Sequence, residues 1–321
     1  MKRILVVGAG GQIGTELVPH LQKHYGADNV IAADLKPEMV VKLENMGVTA
    51  MKLDALDAQA YAETVKKYNI DSLFNLVALL SATGERNPQL AWHINMTALV
   101  NSLDIAKELG CSVFTPSSIG AFGNSTPHYK TPQDTVMRPN TIYGVCKVTG
   151  ELLSDYYFTR FGVDTRSVRF PGIISNGAMP GGGTTDYAVE VFYHAVKTGK
   201  YVCEVPHDRY MDMLYMPDAL EAVTTLMEAD PSKLKHRNSF NITSMSFTPD
   251  QLFEQIRKRI PEFSASFNID PVKDQISNSW PDIMDDSCAR EEWGWNPKWG
   301  INEMVDDMLC ACREKLARGE Y

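Results

Sequence analysis

Two side chains that could carry out acid–base chemistry, Tyr143 and Lys147, stand four residues apart in this sequence. On a helix, this spacing places both side chains on one face. A phenol is a poor base at neutral pH because its reference pKa is about 10. A neighbouring ammonium group stabilises the phenolate and brings the tyrosine into a useful range. The pair therefore predicts a tyrosine base assisted by a lysine, although the same spacing is common in surface pairs.

A serine-rich segment, 115–118, ends 25 residues before Tyr143. A hydroxyl group at this place can hold a reacting oxygen atom near the tyrosine. Ser117 and Ser118 are both candidates for this role.

Three regularly spaced glycines, Gly8, Gly11 and Gly14, follow the first apolar run and open the first helical segment. A tight turn from strand to helix needs residues that tolerate positive φ, and a pyrophosphate must approach bare backbone. The N-terminus of the helix supplies unpaired N–H groups and a partial positive charge. Glycines alone would also suit a flexible turn, but this position predicts a dinucleotide site.

An acidic residue, Asp34, ends the second predicted strand, 20 residues after Gly14. A carboxylate there accepts hydrogen bonds from both ribose hydroxyls of the adenosine. It would repel a 2′-phosphate, so the sequence predicts NAD rather than NADP. The alternative is an ordinary turn or capping residue before Pro37.

The elements that must position these residues alternate between short apolar runs and helical segments. This rhythm predicts right-handed crossovers and an α/β fold with a Rossmann-type, doubly wound parallel sheet. The predicted strands are 3–7, 30–35, 49–53, 72–77, 112–115 and 165–170, and the predicted helices are 12–25, 58–68, 90–109 and 143–161.

The pattern changes after Pro171, where a glycine-rich segment, 175–186, predicts a long ordered loop. Helices dominate the chain beyond it. We expect an NAD-binding domain over 1–172 and a smaller, mostly C-terminal substrate-binding lobe over 173–321. We expect two later segments, 217–228 and 239–242, to return to the main sheet. Parts of 210–245 would then complete the NAD-binding domain, and the smaller lobe would be discontinuous.

The composition of the 321-residue chain argues against several partners. Its 31 basic and 40 acidic residues leave a net charge of −9, which disfavours a nucleic-acid-binding surface. The longest apolar stretch, 73–82, is about half a membrane span. The N-terminus runs into glycines rather than a long apolar region, so we predict no targeting segment and a cytoplasmic location. The mitochondrial matrix stays an alternative if a presequence was trimmed.

Neither cysteines nor histidines predict a special site. Six cysteines in a chain of this length do not make a disulfide framework, and none forms a CxxC pair, so we expect reduced thiols. Cys310 and Cys312 fall on different faces of a helix. His20 and His24 have helical i,i+4 spacing, but no carboxylate or thiol partner is evident in the sequence. We therefore predict no metal.

The glycine turn, the tyrosine–lysine pair and the serine-rich strand end together resemble the extended branch of the short-chain dehydrogenase/reductase superfamily. The resemblance implies NAD as cofactor and matches the catalytic serine of that family to Ser118. It implies that Asp54 contacts the adenine, that 76–78 run under the cofactor, and that Ile173 lies by the nicotinamide. The cofactor residues so implied are Gly8, Gly11, Gln12, Ile13, Gly14, Asp34, Asp54, Ala55, Leu76, Ala78, Asn95, Tyr143, Lys147 and Ile173.

Five segments resemble one group of this branch, the L-threonine 3-dehydrogenases; they are 79–85, 116–123, 169–175, 180–187 and 279–290. This resemblance implies oxidation of the 3-hydroxyl of L-threonine to 2-amino-3-oxobutyrate, with hydride transfer to NAD⁺. Tyr143 would take the hydroxyl proton, Lys147 would bind the ribose and lower the pKa of the tyrosine, and Ser118 would orient the hydroxyl.

The substrate residues expected on this basis are Ser81, Ser117, Ser118, Tyr143, Gly183, Thr184, Thr185 and Trp280. The glycine-rich loop offers backbone N–H groups and hydroxyls to the substrate carboxylate, and Trp280 would form an apolar wall. The alternatives are that Thr184 and Thr185 belong to a helix cap with Asp186 as N-cap, that Ser81 is a cap, and that Trp280 is a core residue. We assign Arg290 to a salt bridge.

Two other functions stay open. An NDP-sugar epimerase or dehydratase shares every cofactor residue but needs a basic clamp for a diphosphate, and 174–201 hold only Lys197 and Lys200. A non-catalytic NAD sensor is disfavoured by the intact Ser118, Tyr143 and Lys147. The helices at 90–109 and 143–161 resemble the pair that forms a two-fold four-helix interface in the superfamily, so we expect a homodimer.

Overall fold

A six-stranded parallel sheet forms the centre of the computed structural model, which describes residues 1–177 and 181–320. The strands are β1 (Ile4–Val7), β2 (Val30–Asp34), β3 (Thr49–Lys52), β4 (Ser72–Asn75), β5 (Ser112–Phe114), β6 (Ser117–Ser118), β7 (Tyr129–Thr131), β8 (Thr165–Arg166), β9 (Val168–Phe170), β10 (Gly172–Ile174), β11 (Lys200–Cys203), β12 (Met211–Tyr215), β13 (Phe240–Asn241), β14 (Met245–Phe247), β15 (Ser264–Phe267) and β16 (Ile283–Met284). The central sheet has the order β3-β2-β1-β4-β5-β8, which confirms the predicted α/β fold.

The predicted helices at 12–25, 58–68, 90–109 and 143–161 are present, with ends within two residues of those expected. The helices are α1 (Gln12–Tyr25), α2 (Pro37–Asn45), α3 (Ala58–Lys67), α4 (Ser81–Arg86), α5 (Pro88–Leu109), α6 (Ile142–Phe161), α7 (Tyr187–Thr198), α8 (Met216–Glu228), α9 (Pro249–Arg257), α10 (Pro271–Ser277), α11 (Ser287–Trp293) and α12 (Ile301–Ala317). The sequence did not predict α2, which buries only Leu43 and so lacks a clear apolar periodicity. Within the described residues, no helix is both long and apolar enough to cross a bilayer.

The central strands are buried on both faces because helices cover each side of the sheet. Ile4 and Val6 of β1 lie in one apolar cluster with residues of α1 and α8, whereas Leu5 and Val7 lie in another with residues of α5. This alternation follows the pleat of the strand. The carboxyl ends of the strands therefore meet at one edge, where ligands bind in open α/β sheets.

The predicted sixth strand, 165–170, was wrong as a single element. It is interrupted at Ser167, whose hydroxyl accepts a 2.7 Å hydrogen bond from the backbone N–H of Ser239. On one side of the break, β8 pairs with β5; on the other, β9 pairs with both β6 and β13. The segment at 239–242 thus pairs with β9 in a three-stranded sheet, β13-β9-β6, rather than with the six-stranded central sheet to which we expected it to return.

A second apolar core lies around the sheet β10-β12-β14 and the helices α7, α9 and α12. The predicted division into a domain over 1–172 and a lobe over 173–321 stays a prediction. In the glycine-rich loop, 175–177 and 181–186 form neither helix nor strand, as expected. Residues 178–180 lie outside the described residues. They include Pro180, the first residue of the segment 180–187 that carries part of the family resemblance.

Candidate active site

The glycine turn links β1 to α1 and brings its backbone against neighbouring chain. Gly8 has a φ of +77°, and a Cβ atom on it would lie 3.1 Å from the backbone of Leu76. A Cβ atom on Gly14 would lie 2.5 Å from the carbonyl oxygen of Ala9. The first glycine therefore permits the turn, and the third lets α1 pack closely against it.

A cleft of about 340 Å³ opens beside this turn at the ends of β1, β2 and β4. Of the predicted cofactor residues, those that line it are Gly8, Gly11, Asp34, Asp54, Ala55, Leu76 and Ala78. The carboxylate of Asp34 accepts hydrogen bonds from the backbone N–H groups of Gly10 (2.9 Å) and Lys36 (3.0 Å), which orient it at the cleft wall.

Sequence reasoning did not assign Gly10 and Met39 to this cleft. A Cβ atom on Gly10 would lie 2.5 Å from the Cβ atom of Met39, so only glycine leaves room for α2 here. The extra glycine between Gly8 and Gly11 was the signal that could have indicated this contact.

A second cavity, of about 140 Å³, contains the predicted catalytic tyrosine. It brings together side chains from segments far apart in the chain. The predicted site residues that line it are Gln12, Ile13, Ser81, Ser117, Ser118, Tyr143, Ile173, Gly183, Thr184, Thr185 and Trp280. Two polar atoms among them, Gln12 Nε2 and Thr184 Oγ1, are buried without a hydrogen-bond partner among the described residues. Such atoms are rare in folded proteins and indicate a polar ligand.

Tyr143 and Lys147 lie in the first turns of α6. The helix begins at the N-cap Thr141, whose hydroxyl accepts a 3.1 Å hydrogen bond from the backbone N–H of Gly144. The Nζ atom of Lys147 lies 5.3 Å from the centroid of the Tyr143 ring and donates a 2.6 Å hydrogen bond to the carbonyl oxygen of Pro116. The ammonium group is thus held beside the tyrosine ring, as the helical spacing predicts.

The two candidate serines have different surroundings. Ser117 is buried, and its hydroxyl donates a hydrogen bond to the carboxylate of Glu151. Ser118 is half-buried, and its Oγ atom accepts a 3.1 Å hydrogen bond from the backbone N–H of Gly120, which leaves its hydroxyl proton free to donate. A Cβ atom on Gly120 would lie 3.3 Å from the Tyr143 ring and 3.4 Å from Ser118 Oγ, so both groups border the same space.

Behind the serines lies a buried ion pair that the sequence did not indicate. Arg169 donates two hydrogen bonds to the Glu151 carboxylate, at 3.0 Å and 2.8 Å. The same guanidinium also donates to the carbonyl oxygen of Gln133 (2.8 Å) and to Asn241 Oδ1 (3.0 Å). The pair holds the strand of Ser117 against α6 and β13.

Two of the predicted cofactor residues, Gly14 and Asn95, do not line the cofactor cleft. Asn95 instead holds the backbone beside it. The side-chain amide of Asn95 accepts from the backbone N–H of Leu79 (2.7 Å) and donates to its carbonyl oxygen (3.2 Å). It therefore holds the chain segment that follows β4 and passes along the cleft.

The glycine-rich loop differs from expectation in its donors. The backbone N–H groups of Gly182 and Gly183 donate to Asp186 Oδ2, at 2.8 Å and 2.7 Å, whereas the sequence predicted that Gly183 donates to the substrate carboxylate; that role stays a prediction. Asp186 occupies the N-cap position of α7, as the alternative expected, but its side chain makes no cap hydrogen bond. Burial raises the pKa of Asp186, although these backbone hydrogen bonds oppose the shift.

The positions of three further residues bear on the remaining alternatives. Ser81 is buried and is the first residue of α4, while Leu80 occupies the N-cap. Trp280 both lines the cavity and packs in a small apolar cluster with residues such as Phe122. Arg290 forms the predicted salt bridge, to Asp286 at 2.8 Å.

The histidines acquire acidic neighbours only in the folded chain. Glu221 of α8 lies near His20 and His24, and Cys288 and Glu292 lie near His236. The imidazoles already have protein partners: His20 contacts the hydroxyl of Thr224, and His236 contacts the carboxylate of Glu292. The predicted absence of a metal stays a prediction. All six cysteines are free thiols, with Cys310 exposed and Cys312 buried as expected.

Comparison with known proteins agrees with this geometry. Residues 4–243 match the model of the NAD dependent epimerase/dehydratase family. The chain belongs to this family. An uncharacterized epimerase/dehydratase from Staphylococcus aureus is 51% identical over 316 residues, which cover 98% of each chain.

The chain is also similar to solved structures of L-threonine dehydrogenases. An L-threonine dehydrogenase from Clostridium difficile is 49% identical with a TM-score of 0.95, and 98% of each chain is covered. An L-threonine dehydrogenase from Phytophthora infestans is 44% identical with a TM-score of 0.94, covering 98% of this chain and 100% of the other. The resemblance drawn from the sequence is thereby confirmed.

Two further structures bear on the open questions. A monomeric L-threonine 3-dehydrogenase from a metagenome is 41% identical with a TM-score of 0.92, and 97% of this chain and 99% of that chain are covered. A UDP-glucose 4-epimerase from Thermotoga maritima shares the fold, with a TM-score of 0.84 over 98% of this chain and 99% of the other, but only 20% identity.

Family membership implies NAD as the cofactor, and the residues present fit it. Glycine backbone borders the turn, the Asp34 carboxylate stands at the cleft wall, and Gln12 Nε2 lacks a partner among the described residues. These groups would hold a dinucleotide along the edge between the two cavities.

Proposed function

We propose that this protein oxidises the 3-hydroxyl of L-threonine to 2-amino-3-oxobutyrate. The observation that carries this proposal is the small cavity in which Tyr143 and Ser118 meet the hydroxyls of the glycine-rich loop and the wall of Trp280. Its volume of about 140 Å³ suits an amino acid rather than a nucleotide sugar. The similarity to solved L-threonine dehydrogenases supports the same conclusion.

The chain's own residues account for removal of the hydroxyl proton. Tyr143 is the base, and the ammonium group of Lys147 lies 5.3 Å from the centre of its ring. Ser118 donates to the substrate oxygen with the proton that its contact with Gly120 leaves free. When bound, NAD⁺ supplies the acceptor for the hydride that leaves the substrate carbon.

Recognition of the amino acid rests on complementary charge and hydrogen bonding. Thr184 Oγ1 is a donor without a partner among the described residues, and it suits the substrate carboxylate. Among the described residues that line the cavity, Asp186 is the only charged side chain, and its carboxylate suits the substrate ammonium group. Trp280 would cover the substrate methyl group and exclude water.

The alternative within the same family is an NDP-sugar epimerase or dehydratase. A diphosphate requires cationic partners, and no lysine or arginine is found among the described residues that line this cavity. The deciding experiment mixes purified protein and NAD⁺ with L-threonine, L-serine, 3-hydroxybutyrate or UDP-glucose. NADH absorbance reports oxidation of the first three, and chromatography of the products reports conversion of the nucleotide sugar, which leaves no net NADH. Turnover of threonine supports the proposal; silence with threonine and conversion of the nucleotide sugar would reverse it.

We further propose a homodimer formed through α5 and α6. Both helices expose large apolar side chains, including Trp92 (44%), Leu152 (61%) and Tyr156 (53%), which is more than an isolated surface helix needs to expose. Light scattering should give twice the chain mass of 35.8 kDa. A monomer mass would contradict the assignment. The cytoplasmic location stays a prediction.

A further inference from the structure

A half-buried carboxylate on α1, the cofactor helix, contacts the start of the glycine-rich loop (175–186), which is called the substrate loop below. Glu16 lies on α1, two residues after Gly14, and accepts a hydrogen bond from the hydroxyl of Ser175. Ser175 is fully buried, and its Oγ atom accepts a 3.0 Å hydrogen bond from the backbone N–H of Gly177. Glu16 therefore fixes the turn 175–177, from which the chain continues toward Thr184.

The fit between Glu16 and this turn is close. A Cβ atom on Gly177 would lie 2.4 Å from the Cδ atom of Glu16, so no side chain other than glycine fits without displacing the carboxylate. Burial raises the pKa of Glu16, against the lowering effects of the Ser175 hydrogen bond and of the positive charge on Lys315.

Lys315 of α12 holds the same turn from its other side. Its Nζ atom donates to the carbonyl oxygen of Asn176 and, at 3.4 Å, to that of Gly177. The side-chain amide of Asn176 in turn donates to Tyr215 (2.9 Å) and Asp307 (3.2 Å). Three consecutive residues are thus held between the helix that follows the glycine turn and the C-terminal helix.

The position of this turn gives the contact a functional meaning. Gln12 and Ile13 precede Glu16 on α1 and line the small cavity, and Thr184 and Thr185 line the same cavity from the loop. We infer that Glu16 and Lys315 are positioning residues, which set the substrate loop relative to the cofactor helix and thereby determine affinity for the amino-acid substrate. This inference rests on the proposed function, because the substrate it concerns is threonine.

The test compares Glu16→Gln, Lys315→Met and the double variant with two controls. Glu221→Gln removes an exposed carboxylate from α8, which packs against α1, and Arg313→Met removes an exposed cation from α12. We expect each test variant to raise the KM for threonine about tenfold, with kcat and the KM for NAD⁺ changed less than about threefold. The KM of the double variant should be no higher than that of the more strongly affected single variant. The KM values of the two controls should match the wild type.

A second readout does not depend on which substrate is used. Amide hydrogen exchange of the NAD-loaded protein should accelerate at 175–177 and 181–187 in Glu16→Gln and remain unchanged in the two controls. If wild-type protein does not oxidise threonine, the proposed function fails, whereas the exchange comparison still decides whether the carboxylate positions the loop. Unchanged exchange, or equal losses in both KM values and kcat, would overturn the inference and leave Glu16 a stabilising residue only.

Discussion

The Nζ atom of Lys147 lies 5.3 Å from the centre of the Tyr143 ring, and its hydrogen bond to the carbonyl oxygen of Pro116 fixes it there. The lysine is therefore tied to the segment that carries the two serines. A change in Lys147 or in the carbonyl group of Pro116 that holds it alters the electrostatic surroundings of the Tyr143 phenol. Neither residue lines the cofactor cleft.

Tyr143→Phe should lower kcat about 10²- to 10⁴-fold, because the variant loses its base. NAD⁺ affinity, measured by calorimetry, should change little. Tyr129→Phe, at an exposed tyrosine of β7 outside the proposed dimer interface, is the matched control and should keep wild-type turnover. Full activity of Tyr143→Phe would contradict the proposed chemistry and revive the non-catalytic interpretation.

Exchanging each serine for alanine should separate their roles. Ser118→Ala should lower kcat by at least tenfold without loss of stability, since its hydroxyl faces the tyrosine. Ser117→Ala should keep most of kcat but lose about 1–3 kcal/mol of unfolding free energy, because Glu151 loses a buried donor. Steady-state kinetics and urea unfolding measure the two effects, and the reverse pattern would identify Ser117 as the catalytic serine.

Asp34→Ala should change cofactor preference. The carboxylate accepts from ribose hydroxyls and repels a 2′-phosphate, so kcat/KM should fall about tenfold with NAD⁺ and rise with NADP⁺. Asp28→Asn removes an exposed acid at the opposite end of β2, away from the cofactor cleft, and serves as control. An unchanged ratio of the two kcat/KM values would show that Asp34 is only a turn residue.

Asp186→Asn should discriminate between substrates. Asparagine can still accept from Gly182 and Gly183 but lacks the negative charge that attracts an ammonium group. We expect kcat/KM for threonine to fall about 10- to 100-fold, while that for 3-hydroxybutyrate, which has no amino group, stays constant. Equal losses for both compounds would mean that Asp186 only shapes the loop.

Arg169→Met should destabilise the protein by about 3–5 kcal/mol, because the Glu151 carboxylate is left buried without its partner. The double variant with Glu151→Gln should recover much of this loss. Arg290→Met breaks a partly exposed pair and should cost less than about 1 kcal/mol. Urea unfolding measures all three, and equal costs for the two arginines would contradict a dominant role for burial.

The sequence predicted the elements whose periodicity or glycine spacing is strong, and several of the residues that it singled out line the two cavities. It could not predict features that depend on contacts between distant segments. The interruption at Ser167 arises from the backbone of Ser239, and the carboxylate near His20 and His24 comes from α8. The hydrogen bonds from the N–H groups of Gly182 and Gly183 form only in one rotamer of Asp186, and residue spacing in the sequence does not specify a rotamer.

The pairing of β6, β9 and β13 bears on the order in which parts of the chain can fold during synthesis on the ribosome. Arg169 reaches its final set of acceptors only when Asn241 is present, some 70 residues after it. A nascent chain can therefore assemble its nucleotide turn, which is made at the start of synthesis, well before the serine strand is locked. The final packing of the serine strand therefore depends on a segment that is synthesised well after the glycine turn.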